Sequence, residues 1–135
     1  MNRSEFLRQT LAAGSVLCAG AALEACALLE DAEMQVGALA ELEARGFIET
    51  RFNGRKILAV WLDGKPVIFS LICRHKRCTV RYHEEEAQFV CPCHDGLYDR
   101  YGQVLDGPPP GPLRRYAAEI RDGELWVLNR FEPEG

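Results

Sequence analysis

The stretch KILAVWLDGKPVIFSLI, Lys56 to Ile72, decides the architecture. Two short runs rich in β-branched, aromatic and other apolar residues, Lys56 to Leu62 and Pro66 to Ile72, flank Asp63-Gly64. A type I′ turn needs positive φ at both central residues, which Asp-Gly tolerates, so the stretch reads as an antiparallel hairpin. The same pattern recurs downstream, where Tyr116 to Arg121 and Glu124 to Leu128 flank Asp122-Gly123. From Phe47 onward short runs bearing Val, Ile, Phe and Trp alternate with turn pairs, which predicts an antiparallel all-β domain over 47–131. Trp61, Phe69, Phe89 and Trp126 are its expected core aromatics.

The chemistry sits where the first hairpin ends. Cys73-x-His75 follows Ile72 directly, and fifteen residues later Cys91-x-x-His94 follows the short run Gln88 to Val90. Two thiols and two imidazoles in a pair of matched clamps suit two different centres. A two-iron, two-sulfur cluster with mixed ligands takes two thiolates on one iron and two neutral imidazoles on the other. Tetrahedral zinc accepts the same four donors, as the core of a binding module. In either case loops hung from strand ends hold ligands rigidly while leaving the metal accessible. His83 lies outside both clamps and reads as a surface residue. Glu84-Glu85-Glu86 reads as a solvated loop or, alternatively, a docking patch.

CRHKRC (73–78) and CPCHDGLYD (91–99) resemble the two boxes of the Rieske iron–sulfur family, in its respiratory, disulfide-containing branch. The resemblance runs from about Gly46 to Leu128. It implies a Rieske-type antiparallel β domain with a small subdomain of cluster-binding loops. One [2Fe-2S] cluster would be held by Cys73, His75, Cys91 and His94, with the histidine-bound iron near the surface. The resemblance also implies a disulfide between Cys78 and Cys93. It places Tyr98 where the family has a tyrosine donating a hydrogen bond to a ligand sulfur, and makes Gly107-Pro108-Pro109-Pro110-Gly111-Pro112 the loop that covers the cluster, with Pro108 beside it. The implied function is one-electron transfer, by a small carrier or by the electron-transfer subunit of an exported oxidoreductase. Its partner would be a cytochrome, the large subunit of a molybdoenzyme, or a cytochrome b. No group for substrate turnover is visible. A ferredoxin of an aromatic-ring dioxygenase is the nearest redox competitor, but that branch lacks the disulfide cysteines.

Two histidines in place of two thiolates make the oxidised cluster less negative and raise its potential to about −150 to +300 mV, against about −400 mV for plant-type ferredoxins. The imidazoles keep a dissociable proton, so reduction and protonation should be linked. Hydrogen bonds to sulfur raise the potential further. High-potential relatives carry Gly-Ser after the second-box histidine, and this chain has Asp95-Gly96. A middling potential is therefore expected, which a serine at 96 should raise. Quinol-oxidising members have Leu and Gly where this chain has Lys76 and Arg77. The two cations either meet an acidic redox partner or are solvated loop residues.

The rest of the chain bounds this reading. A length of 135 residues allows one modest domain plus an extension. The formal net charge is −4, and residues 46–135 hold thirteen acids and thirteen bases, so no nucleic-acid partner is expected. Arg3 and Arg8 precede an uncharged run from Thr10 to Leu23, the layout of an export signal or membrane anchor over 1–29. Arg3-Ser4-Glu5-Phe6-Leu7 resembles a twin-arginine signal with Ser4 in place of the second arginine, and Ala25-Cys26 resembles a lipobox. Cys18 reads as a small apolar residue of the run. The disulfide that the resemblance implies and an export signal would together place the domain in the periplasm or on the outer face of the membrane. Between signal and domain, Ala32, Val36, Leu39 and Leu42 at helical spacing, stopped by Gly46, predict a helical linker over 30–46.

Overall fold

Three pairs of the form Asx-Gly turn the chain back on itself. In the computed structural model, which describes residues 29–134, Asn53-Gly54, Asp63-Gly64 and Asp122-Gly123 all have positive φ at both positions, between 49 and 79°. They close the hairpins β2 (Phe47–Phe52) to β3 (Arg55–Leu62), β3 to β4 (Lys65–Ser70), and β9 (Arg115–Arg121) to β10 (Glu124–Phe131). The last two were expected. The first, not among the expected hairpins, obeys the same rule, since Asn-Gly is as strong a signal as Asp-Gly.

With β1 (Glu33–Ala38), these strands make a six-stranded antiparallel sheet in the order β1-β10-β9-β4-β3-β2, whose edge strands β1 and β2 approach each other. Alternation sends side chains to both faces, and both faces are covered. Ile57, Ala59 and Ile68 join Leu125, Val127, Phe52 and Tyr116 on one side. Leu58, Val60, Leu62, Val67 and Phe69 face the other way and pack against Leu71, Val80, Phe89 and Tyr98, the elements that carry the candidate ligands. Phe69 and Phe89 are fully buried and meet edge to face, 5.0 Å between centroids. Trp61 and Trp126, also expected in the core, are only half-buried. Trp61 packs on the margin of the first cluster, and Trp126 lies under the Arg121 guanidinium at 4.7 Å.

The segment expected to be a helical linker is mostly not helical. Residues Glu33–Ala38 form β1, paired with β10 from Glu33↔Leu128 to Ala38↔Glu124, and only Leu39–Arg45 is helix, here α1. Ala32 and Val36, four apart, fit the helical spacing, but with Met34 between them they also fit a period of two. The exposed ladder of β10, distant in sequence, then decides between the two periods. Both β1 and α1 belong to the unit that begins at Asp31, so that unit starts well before the expected position 47. The predicted stop at Gly46 holds: its φ is 88° and its N–H donates to Leu42 O at 2.7 Å. Leu42, fully buried, pins the helix to the sheet. Residues 1–28, with Arg3, Arg8, Cys18 and Cys26, lie outside the described residues.

A second, smaller antiparallel sheet runs in the order β5 (Arg81–His83), β6 (Gln88–Cys91), β7 (Gly96–Tyr98), β8 (Val104–Asp106). His83 and Glu84-Glu85-Glu86 are exposed at its first turn, as the sequence implied. The connection from β4 to β5, the turn from β6 to β7, and the loop from β8 to β9 together build the site.

Candidate metal centre

Both boxes are hairpin tips. After β4 the ladder continues through Val80 N–H to Leu71 O, a bridge between Ile72 and Thr79, and Cys73 N–H to Cys78 O at 2.7 Å. Cys91 and Gly96 are likewise cross-strand partners at the end of β6 and the start of β7. Each tip therefore opens with a cysteine in ladder geometry. The fifth residue of each adopts the left-handed conformation that turns the chain back, Arg77 at φ 57° and Asp95 at φ 54°. The two loops thus share one shape, although their histidines sit at different offsets.

That shape sorts the donors by depth. Cys73 and Cys91 are buried, at 1% and 2% exposure, while His75 and His94 are exposed. The two imidazole rings face each other edge on, with centroids 5.0 Å apart. The two thiols lie close enough to influence each other's ionisation. The cysteines are thus at depth and the imidazoles paired at the surface, on two tips that the disulfide between Cys78 and Cys93 joins.

The two sulfurs are shifted in opposite directions. Burial raises the Cys73 thiol, but hydrogen bonds from the Tyr98 hydroxyl, the N–H of His75, the Cys91 thiol and the N–H of Lys76 outweigh it, and the net shift is downward. At Cys91 burial and the neighbouring Cys73 win, and the thiol is raised despite N–H donors from Cys93 and His94. The donors come from the second and third residues after each cysteine, a consequence of the shared loop shape that spacing alone did not reveal. The Tyr98 oxygen lies 3.5 Å from Cys73 Sγ. Burial first, and the adjoining sulfur second, raise the phenol, so it remains protonated and donates to sulfur.

Cys78 and Cys93 form the disulfide that the resemblance implied, with a Cα–Cα distance of 6.4 Å, and it fastens one tip to the other. Cys78, Cys91 and Cys93 place their sulfurs within 4.8 Å of one another, yet two of the three are consumed in this bond and cannot act as thiolate ligands. Cys73 and Cys91 are the free thiols among the described residues.

The proline loop closes over both tips. Pro109 is buried, and its Cγ lies 2.9 Å from where a Cβ on Gly96 would stand. Pro108, expected beside the cluster, is exposed, and Pro109 is the proline of this loop that packs on the second tip. Gly107, at φ 93°, lets the loop backbone approach the second tip: a Cβ there would stand 2.8 Å from Gly96 Cα. At the other end Arg74 reaches Pro112 O at 3.5 Å and forms an ion pair with Glu134, tying the first tip to the loop and to the segment after β10.

This donor set fits a centre with thiolates on its buried side and imidazoles on its exposed side. Comparison with known proteins gives it a family. The Rieske [2Fe-2S] domain matches residues 32–117. The chain is 41% identical over 95 residues to the menaquinol:cytochrome c reductase iron-sulfur subunit of Bacillus subtilis, covering 65% of this chain and 56% of that one. It is 36% identical over 77 residues to the cytochrome b6-f complex iron-sulfur subunit of Chlorobaculum tepidum, covering 57% and 42%. The chain spans about half the length of the curated relatives it matches. The plasma membrane Rieske protein PetC3 of Synechocystis PCC 6803 superposes with a TM-score of 0.60 at 26% identity, over 72% of this chain and 99% of that one. Between zinc and iron–sulfur, these matches decide for the [2Fe-2S] cluster, and the chain belongs to the Rieske [2Fe-2S] domain family.

Proposed function

We propose that this chain passes single electrons through its [2Fe-2S] cluster, with Cys73 and Cys91 on the inner iron and His75 and His94 on the outer one, as the electron-transfer subunit of a quinol-oxidising complex of the cytochrome bc type. The observation that carries the ligand assignment is the presence of two buried thiols and two exposed, facing imidazoles on hairpin tips joined by a disulfide. When bound, the cluster supplies a one-electron redox couple. The protein supplies the rest: backbone N–H groups and the Tyr98 hydroxyl aimed at sulfur, Pro109 over the second tip, and imidazoles at the surface where a partner can meet them. The names of the relatives support the bc-type setting. The disulfide supports an oxidising compartment, and with the N-terminal run it favours the outer face of a membrane. Among the described residues no helix is long and apolar enough to cross a membrane.

Purified protein should be coloured, contain iron and show a Rieske-type electron paramagnetic resonance signal on reduction. His94→Cys should alter that signal and Cys91→Ser abolish it. A colourless, zinc-containing protein overturns the reading. A second reading, a soluble carrier, is favoured by one feature, the exposed Lys76 and Arg77 at the tip, where an apolar residue would suit a quinol pocket. Reduction by quinol in the presence of a cytochrome b, against reduction by a soluble oxidoreductase, separates the two.

A further inference from the structure

The fold gathers beside the first tip four arginines from three separate stretches of the chain. A cleft of about 490 Å³ is bounded by Arg74 and Arg77 of the tip, Arg55 at the start of β3, and Arg114 just before β9, with Cys73 at its inner wall; no acidic side chain is among its lining residues. Lys76 adds a fifth cation on the same tip. The chain as a whole carries a net charge of −4, so this concentration of positive charge at the redox end runs against the average.

Three details suggest what the cleft receives. First, a carboxylate already docks at its margin, where Glu134 pairs with Arg74. Second, Arg114 stacks over the Phe131 ring at 5.1 Å, which holds its guanidinium in place at the cleft rim. Third, Arg77 keeps a long side chain at φ 57°, a conformation that glycine adopts without strain. The rim arginines Arg55, Arg77 and Arg114 are exposed, and so is His75.

We propose that this arginine cleft is the docking surface for the acidic face of a partner redox protein, whose carboxylates pair with Arg77 and Arg114 and displace Glu134 from Arg74, bringing the partner alongside His75. The inference rests on the electron-transfer reading above and names the class of partner. Complementary charge here speeds encounter and fixes orientation, and salt weakens both.

The probe is a fluorescein-labelled decaglutamate peptide, followed by fluorescence anisotropy on the full, cluster-loaded chain at low ionic strength. Wild type binds it, and binding weakens as salt is raised. The double variant Arg77→Gly, Arg114→Gln loses about tenfold or more in affinity. Glu134→Gln, which removes the internal competitor, binds more tightly. Arg77→Gly alone loses affinity while its melting temperature holds or rises, which separates lost docking from lost folding. Lys65→Gln, at the far end of β4, leaves binding unchanged.

Equal binding by wild type and the double variant overturns the proposal, and so does an equal loss in Lys65→Gln. Citrate competing as strongly as the decaglutamate overturns it too, in favour of a small-anion site. A normal paramagnetic signal without peptide binding defeats this inference alone. Peptide binding without that signal defeats the electron-transfer reading and leaves the surface standing.

Discussion

Pro109 fills the space that a side chain on Gly96 would need, with Cγ and Cδ 2.9 and 3.2 Å from the position of a Cβ there. Position 96 and position 109 are therefore a matched pair. A serine at 96 was expected from the family comparison simply to add a donor and raise the potential, but it meets a buried proline ring before it meets any sulfur. Gly96→Ser should destabilise the domain by about 1–3 kcal/mol, the usual cost of overpacking. Pro109→Ala alone should cost on the order of 1 kcal/mol or less. Combined, the two should recover part of the loss, with a coupling energy of about 1 kcal/mol in a urea-unfolding cycle. Additive losses would show that the loop yields freely.

Tyr98→Phe removes one hydroxyl and keeps the buried ring. The phenol donates to Cys73 Sγ across 3.5 Å, and a donor to sulfur favours the more negative, reduced state. If the bond is worth about 1 kcal/mol more in that state, the midpoint potential falls by about 40 mV. Protein-film voltammetry on the wild type and Tyr98→Phe checks this. An unchanged potential would mean that the hydroxyl serves packing alone.

The hairpins and both boxes were legible because each rests on local chemistry: Asx-Gly pairs at the turns, and cysteines just past strand ends. What escaped depends on contacts distant in sequence. Ala32 and Val36 satisfy a strand's period of two as well as a helix's spacing of four, and only the ladder of β10 distinguishes them. Pro108, Pro109 and Pro110 are indistinguishable in a string, and only the fold shows that the middle one is buried. Arg55 and Arg114 carry no motif at all. They join Arg74 and Arg77 because β3 and β9 both flank β4, the strand that leads into the first tip.

The disulfide between Cys78 and Cys93 closes a separation of 15 residues and joins the two tips. A loop of about that length is worth about 3 kcal/mol of unfolded-state restriction. Cys78→Ser together with Cys93→Ser should lower the melting temperature by about 10–20 °C for a domain near 100 residues. Calorimetry on this variant, and on wild type with added reductant, should give matching shifts. The loss should fall hardest on the boxes, seen as earlier release of iron than of the six-stranded sheet. Simultaneous loss of both would show that the domain unfolds as one unit.

Arg121 of β9 reaches across β10 and donates from Nη1 and Nη2 to the two carboxylate oxygens of Glu33 on β1, at 2.8 and 2.7 Å. These hydrogen bonds hold the Glu33 carboxyl below its ordinary range. A carboxyl depressed in the folded state stabilises the protein fully above its unfolded pKa, about 4.3, and the contribution is lost as pH falls through the lower folded value. Glu33→Gln mimics the protonated form. It should be less stable than wild type at pH 7, by a small amount because the pair is solvent-exposed and screened, and the gap should close in acid below about pH 4. Urea unfolding of both proteins at the two pH values tests it. Raising the salt concentration at pH 7 should narrow the gap as well. A gap that persists in acid would mean that position 33 supports the β1–β10 pairing through packing rather than charge.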